Sequence, residues 1–269
     1  MREPAELVAR LSRRCAVWPS ALVALSGGVD SAVVLAIAAS VLPARVHAVT
    51  SHAPSVAPAE VAAARSVAER LGVTHHLVDP GEMNNPAYVA NDRRRCFHCK
   101  DALYGSLRRL ADELGVSVVA NGVHADDPGD DRPGLEAAAL HGVASPLLDE
   151  GLTKDEVRAV ARHLGLPVWN RPADACLASR LPHGTSVTLE RLDRVGQAEA
   201  ALAALGLSGH RVRDHDALAR IEVLAEAFGW VLDHREAIHA AVVAAGYRDV
   251  TLDLAGYRPM GTQAETRPS

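Results

Sequence analysis

Aromatic residues make up only 3% of this 269-residue chain, too few for the stacking platforms that hold single-stranded nucleic acid. Positive charge is not in excess either. The 28 Lys and Arg face 33 Asp and Glu, a formal net charge of −5, so no basic field advertises nucleic acid or an anionic membrane. The longest apolar run, Ala32 to Leu42, is interrupted by Ser40 and falls short of the roughly 20 residues a membrane span needs. Met1-Arg2-Glu3-Pro4 carries no apolar signal core. Cysteines number four. Without a secretion signal they argue against a disulfide framework and for thiol or metal chemistry in a reducing compartment. What is present, 48% hydrophobic and 23% charged residues, describes a globular chain that buries a core without disulfide help. The expectation is a cytoplasmic, enzyme-like protein of one large domain or two smaller ones.

The first half alternates short apolar runs with helical patterns. Ala21 to Leu25, Arg45 to Thr50, His75 to Val78 and Val116 to Ala120 read as strands. Ser31 to Leu42, Pro58 to Leu71 and Phe97 to Leu114 read as helices. Such alternation predicts a parallel sheet with right-handed crossovers, and ligands at the carboxyl ends of its strands. A further helix spans Gly151 to Gly165, with Thr153 as N-cap and Glu156 completing a capping box. The proline-punctuated connector Leu166 to Pro172 then breaks the rhythm. Beyond it the spacing predicts a helix from Leu189 to Leu205, strands at His210 to Val212 and Ala219 to Val223, a helix from Arg235 to Ala245 and a strand from Asp249 to Leu254. The fold class is α/β, with a parallel-sheet domain over 1–171 and a smaller α+β domain over 172–269.

The strongest motif is Ser26-Gly27-Gly28-Val29-Asp30-Ser31, directly between the first strand and its helix. Two glycines let the backbone approach a ligand closely. The unpaired N–H groups of the helix start suit a phosphate chain. Ser26 and Ser31 add hydroxyls, and Asp30 suits Mg²⁺. A lone Gly-Gly is an ordinary helix start; the six-residue string after a buried strand is what points to a nucleotide. A phosphate-binding P-loop carries Lys before its final Ser, where this chain has Asp30. That difference points away from γ-phosphoryl transfer and towards ATP cleavage between the α- and β-phosphates.

Cys96-Phe97-His98-Cys99 is a C-x-x-C at a helix start beside Arg93, Arg94 and Arg95, a setting that favours thiolate. Cys176 follows much later, in Asp174-Ala175-Cys176-Leu177-Ala178-Ser179-Arg180. Three explanations stay open: a structural zinc with His98 as fourth ligand, a redox disulfide with an independent Cys176, or a [4Fe–4S] cluster with one open iron. Cys15, among arginines on the N-terminal helix, reads as a structural cysteine. The thirteen histidines show no persuasive ligand spacing.

Ser26 to Ser31 resembles the signature of the PP-loop ATP pyrophosphatases, a superfamily that includes NAD, GMP and asparagine synthetases and several sulfur-inserting enzymes. The string Leu166-Pro167-Val168-Trp169-Asn170-Arg171-Pro172-Ala173-Asp174-Ala175-Cys176-Leu177-Ala178-Ser179-Arg180 resembles, more specifically, the LarE family of ATP-dependent sulfur transferases. So do Leu152-Thr153-Lys154, Asn121-Gly122, Asp126-Asp127, Arg211-Val212-Arg213 and Leu218 to Val223. The resemblance implies an adenine nucleotide alpha hydrolase-like domain and a homo-oligomer, with a hexamer among its forms. It implies adenylation of the carboxylates of pyridinium-3,5-biscarboxylic acid mononucleotide and their conversion to thiocarboxylates for the nickel-pincer nucleotide cofactor. ATP and Mg²⁺ would meet Ser26, Gly27, Gly28, Val29, Asp30, Ser31, Asn121 and Gly122. Cys176, Asp30 and Arg180 would be catalytic, and Arg180, Arg211 and Arg213 would bind the anionic substrate. In the family's three-cysteine type, residues matching Cys96, Cys99 and Cys176 hold a [4Fe–4S] cluster that carries the sulfur from a donor. In the single-cysteine type the residue matching Cys176 gives up its own sulfur. Glu190 and Glu222 are candidates for a divalent metal or ordinary carboxylates, and Asp126 and Asp127 for Mg²⁺ or turn capping. Asp131, and the acidic pair Asp214 and Asp216 around His215, depart from the family pattern. A cluster-dependent tRNA-thiolating enzyme, an amidating synthetase and a nucleotide sensor are the competing readings; charge and composition speak against the first.

Overall fold

The computed structural model describes residues 2–127, 132–171 and 175–257. Asp131 and Pro172 to Asp174 lie outside them. The chain divides into two compact units, Met1–Asp174 and Ala175–Ser269.

The first unit opens with α1 (Pro4–Ala16), which starts on a proline whose missing N–H is harmless there. It continues through β1 (Ala21–Ala24), α2 (Val29–Val41), β2 (Val46–Ser51), α3 (Pro58–Arg70) and β3 (Thr74–Val78). Then come α4 (Pro86–Val89), α5 (Arg95–Leu114), β4 (Val118–Ala120), α6 (Arg132–Leu140), α7 (Pro146–Asp149) and α8 (Lys154–His163). The four strands are all parallel, in the order β3-β2-β1-β4. Ala21, Leu22 and Val23 of β1 are fully buried, the continuous apolar run expected of a strand covered on both faces. Residues of α1, α2, α3 and α8 pack with Val23, Ala48 and Leu25 in one core cluster. Tyr104, Leu107 and Ala111 of α5 pack with Leu22, Val49 and Val119 in another. The chain steps outward from β1 to β3, and β4 then returns to the opposite side of β1. That reversal opens a crevice at the carboxyl ends of β1 and β4, where open α/β sheets take their ligands.

The second unit holds α9 (Leu189–Ala204), whose Thr188 side chain caps it by accepting from the Arg191 N–H at 3.2 Å. β5 (His210–His215), β6 (Leu218–Val223), α10 (Phe228–Asp233), α11 (Arg235–Ala244) and β7 (Asp249–Leu252) follow. β5 and β6 are antiparallel, β6 and β7 parallel. Ala198, Leu202, Val212, Ile221, Val223, Ile238 and Val242 form the core between sheet and helices.

The expected strands and long helices are present, with shifted ends. β5 runs three residues beyond the expected Val212, because Asp214 occupies an inward position and is paired there with two arginines. The connector after Leu166 contains a short 3₁₀ turn, Pro167–Asn170. Helices α4, α6, α7 and α10 were not foreseen; α6 begins at Arg132-Pro133-Gly134, where the proline suits a helix start. Among the described residues, no helix is long and apolar enough to cross a membrane.

Candidate functional site

In the first unit, β1 hands directly to the loop Ser26–Gly28 and α2. Gly27 takes a left-handed backbone (φ +83°), and a Cβ there would lie 2.6 Å from the Glu60 carbonyl oxygen. Gly28 is the N-cap of α2 and offers no side chain to its first N–H groups, which leaves them as donors at the positive end of the helix. The two serines hold the loop in shape. The Ser26 N–H donates to Ser31 Oγ at 3.1 Å, the two hydroxyl oxygens are 3.2 Å apart, and Gly28 N–H donates to Ser26 Oγ at 3.3 Å.

Two basic residues far away in the chain complete this loop, and the sequence reading gave neither a role there. Lys154, the first residue of α8, donates from Nζ to both carboxylate oxygens of Asp30, at 2.6 and 2.8 Å. Arg171 donates from Nη1 to the Gly27 carbonyl at 2.9 Å and pairs with Glu60 through its other terminal nitrogen. Their distance in sequence, 124 and 144 positions, hides both partnerships. His124 Nε2 lies 3.8 Å from Asp30 Oδ1 and 3.3 Å from Asp127 Oδ1.

The expected capping box of α8 is present, with Thr153 and Glu156 reciprocating. Arg2 reinforces it: Nε and Nη2 donate to the two Glu156 oxygens at 2.8 and 2.5 Å. The Arg2 hydrogen bonds hold the Glu156 carboxyl at about 2, well below the usual carboxylate range. Asp126 and Asp127 act as turn caps, accepting from the backbone N–H of Lys154 (2.7 Å) and His124 (2.9 Å).

Asn121 and Gly122, expected to meet the nucleotide, stand at the end of β4 beside the loop. Asn121 is buried, donates to the Tyr104 hydroxyl at 3.2 Å and accepts from the Val123 N–H at 3.1 Å. Gly122 lies against the loop backbone: a Cβ there would be 2.5 Å from Ser31 N and 2.8 Å from the Asp30 carbonyl carbon. Both shape the crevice.

None of the four cysteines is in a disulfide. Cys96 is exposed and Cys99 half-buried in the first turns of α5, three positions apart and so on one helical face. Cys15, on the buried face of α1, is 1% exposed, and burial pushes its thiol up to about 12, which suits the structural role expected of it. Among the described residues, no three His, Cys, Asp or Glu side chains stand together as a metal site.

In the second unit, Cys176 precedes the 3₁₀ turn Leu177–Arg180 and is half-buried. Arg180, expected to be catalytic and to bind substrate, is engaged by protein groups. Its side chain is 1% exposed and its Nε and Nη2 fork onto Glu199 at 2.9 and 3.0 Å. Nη1 donates to the carbonyls of Ala175 (2.6 Å) and Cys176 (3.3 Å), so the residue fixes the Cys176 turn from beneath. Glu199 also accepts from the Val212 N–H at 2.9 Å, which ties that turn to β5.

The register pairs Arg211 with Glu222 and Arg213 with Arg220, putting all four on one face of the β5–β6 ribbon. Arg213 donates to Glu222 Oε2 (2.8 Å) and the Ser179 carbonyl (3.0 Å), and Arg220 to Glu222 Oε1 (3.0 Å). Arg211 is buried, donates to the Tyr257 hydroxyl at 3.2 Å and lies 4.7 Å from the centre of that ring. Both Glu222 oxygens thus accept from guanidinium groups, Oε2 from Arg213 and Oε1 from Arg220. Glu190 is exposed in the first turn of α9 and joins no ligand group. Arg220, which the sequence reading left without a role, widens the cationic face.

Comparison with known proteins adds three findings. Residues 7–92 match the family model described as asparagine synthase. Over 242 residues, 88% of this chain and 90% of the relative, the chain is 43% identical to an uncharacterised protein of Synechocystis sp.. It is 35% identical over 237 residues, 88% of this chain and 86% of the relative, to the pyridinium-3,5-bisthiocarboxylic acid mononucleotide synthase of Lactiplantibacillus plantarum. A tRNA-specific 2-thiouridylase of Bradyrhizobium sp. is 31% identical, over 56% of this chain and 47% of its own length. With a PP-loop at the switch point of a parallel sheet and this extent of likeness to the synthase, the chain belongs to the LarE family of PP-loop ATP pyrophosphatases.

Proposed function

We propose that this protein is an ATP-dependent sulfur transferase that converts the carboxylates of pyridinium-3,5-biscarboxylic acid mononucleotide into thiocarboxylates. The observation that carries the reading is the uncapped helix start behind Ser26–Gly28, in a chain related over most of its length to a bisthiocarboxylic acid mononucleotide synthase. A free carboxylate is a poor electrophile. Its oxygen attacks the α-phosphorus of ATP, the bond to the β-phosphate oxygen breaks, and pyrophosphate leaves. Donor N–H groups at the start of α2 face the charge that builds on that leaving group. In the acyl-adenylate the carbonyl carbon is open to sulfur: a C–S bond forms, the bond to AMP breaks, and a thiocarboxylate remains.

Asp30 offers hard carboxylate oxygens at the loop and would hold Mg²⁺, which neutralises phosphate charge. The substrate is anionic, and Arg211 and Arg213, with Arg220 beside them, offer it a cationic strand face. Cys96, Cys99 and Cys176 lie outside any disulfide, offer the donor chemistry of a [4Fe–4S] cluster, and would hold one. Such a cluster supplies an iron site for sulfur. A homo-oligomer in the cytoplasm, acting on small molecules and a sulfur donor without nucleic acid or membrane, completes the reading.

A second reading, tRNA thiolation, rests on the 2-thiouridylase match, which covers little more than half of this chain. The deciding experiment is anaerobic mass spectrometry after incubating reconstituted protein with MgATP, sulfide and the biscarboxylate mononucleotide. Thiocarboxylate in excess over protein, with AMP released and Cys176 intact, is the expected result. Product matched one for one by dehydroalanine at Cys176 refutes the cluster and makes the enzyme sacrificial. Absence of both product and AMP refutes the substrate and turns the search to tRNA.

A further inference from the structure

Two histidines 29 positions apart in the chain meet on the parallel sheet of the first unit, away from the loop and the cysteines. Nδ1 of His47 lies 3.0 Å from Nε2 of His76, with ring centres 5.2 Å apart and planes tilted by 44°. The strand register brings them together. His47 pairs with Thr74 and Val49 with His76, so both histidines point to one face of β2 and β3, two residues apart along the ladder. His75 points to the opposite face, where its Nε2 meets Thr50 Oγ1 at 2.7 Å, and takes no part in the pair.

The backbone under the pair is held while the rings stay reachable. Val46, Ala48 and Val49 around His47 are buried, and both imidazoles are half-buried. Burial, and next the His47 ring beside it, lower the pKa of His76 below the ordinary imidazole value, so this ring is neutral at neutral pH. Neutral imidazole is the form that ligates metal. Two nitrogens 3.0 Å apart are also spaced as neighbouring ligands on one metal ion. With metal–nitrogen bonds of about 2.0–2.1 Å, that separation opens an angle of about 95° at the metal, close to that between adjacent positions of an octahedral or square-planar sphere. The ring torsion of histidine is broad, so small turns aim both lone pairs at such a point.

We propose that His47 and His76 form a two-histidine site for a divalent transition metal ion of the nickel, copper or zinc kind, which clasps the outer strand β3 to β2. Water completes the coordination. The proton shared between the rings moves through solvent to the far nitrogen of its own ring, and each facing nitrogen gives its lone pair to the metal. Neither a redox change nor a net release of protons takes place. The site is separate from the nucleotide loop: His47 lies in register with Leu22 of β1, four residues before Ser26. The metal stabilises the sheet and takes no part in adenylation.

The test uses the full chain without a histidine tag, its accessible thiols alkylated so that cysteine does not compete, and Ni²⁺ as the probe. Isothermal titration is expected to show one Ni²⁺ per chain. Affinity falls at least about tenfold in His47→Gln and in His76→Gln, and is unchanged in His52→Gln, an exposed histidine outside the pair. Ni²⁺ raises the melting temperature of the wild type and of His52→Gln, but not of the two pair variants. A second measurement needs no variant. Modification of His47 and His76 by diethyl pyrocarbonate, read by peptide mass spectrometry, is expected to be suppressed by Ni²⁺ but not by Mg²⁺, because imidazole prefers the softer ion. Equal Ni²⁺ affinity in the wild type and both pair variants, or modification of the pair that Ni²⁺ leaves unchanged, would overturn the proposal and make the two rings an ordinary hydrogen-bonded pair.

Discussion

Gly122 is the tightest point between β4 and the nucleotide loop, and Gly122→Ala is the sharpest probe of it. The added Cβ would sit 2.5 Å from Ser31 N, 2.8 Å from the Asp30 carbonyl carbon and 2.9 Å from Ser31 Cα. Ordinary contact begins at 3.4 Å, so the strand end and the start of α2 must part by about 0.9 Å. All three neighbours are main-chain atoms, and no side chain can swing aside. Gly122 is absent from the left-handed glycines, so close approach and not backbone conformation sets the cost. Overpacking of this kind costs about 1–3 kcal/mol, or roughly 2–12 °C of melting temperature in a chain of this size. A shift on the order of 1 Å in the loop is expected to slow adenylation about 100-fold. Thermal melting and substrate-dependent pyrophosphate release measure the two effects. Gly229→Ala, where nothing lies within 4 Å, is the control and should melt as the wild type does. A Gly122→Ala protein with unchanged melting and full turnover would refute the reasoning.

Two further perturbations address the ion pairs. Arg2 lowers the Glu156 carboxyl from 4.5 to about 2, so its contribution is fully present above about pH 5 and is lost as the pH falls towards 2. Glu156→Gln should therefore cost about 1 kcal/mol at pH 7, discounted because Arg2 is partly exposed, and almost nothing at pH 2; a urea-midpoint difference that does not shrink in acid would contradict this. Arg180→Lys removes a buried fork on Glu199, with an expected loss of about 3 kcal/mol in urea unfolding of the second unit. Wild-type stability in that variant would mean that the fork does not hold the Cys176 turn.

The sheet was legible because its strands are short apolar runs, fully buried in β1, and its helices keep their period. The loop was legible because all six of its residues are contiguous. Lys154 and Arg171 were not, since each reaches the loop from across the sequence. The protein partners of Arg180 and Glu222 were hidden for a related reason. A charge beside a cysteine reads as chemistry until its partner is known, and Glu199 and Arg220 are visible as partners only in the fold. Asp214 tells the same story from the inside: a carboxylate at an inward strand position looks like a strand end until Arg191 and Arg194 are seen to neutralise it.

The Arg2 contacts have a practical consequence for handling the protein. Besides gripping Glu156, Arg2 donates to the carbonyls of Glu150 and Gly151, so the second residue of the chain buttresses the helix whose first residue is Lys154. A purification tag fused at this end, or trimming of the first few residues, disturbs the footing of the nucleotide loop while leaving every loop residue intact. Preparations that differ only in how the amino terminus was engineered should thus differ in their affinity for ATP, and a tag on the carboxyl side avoids the artefact.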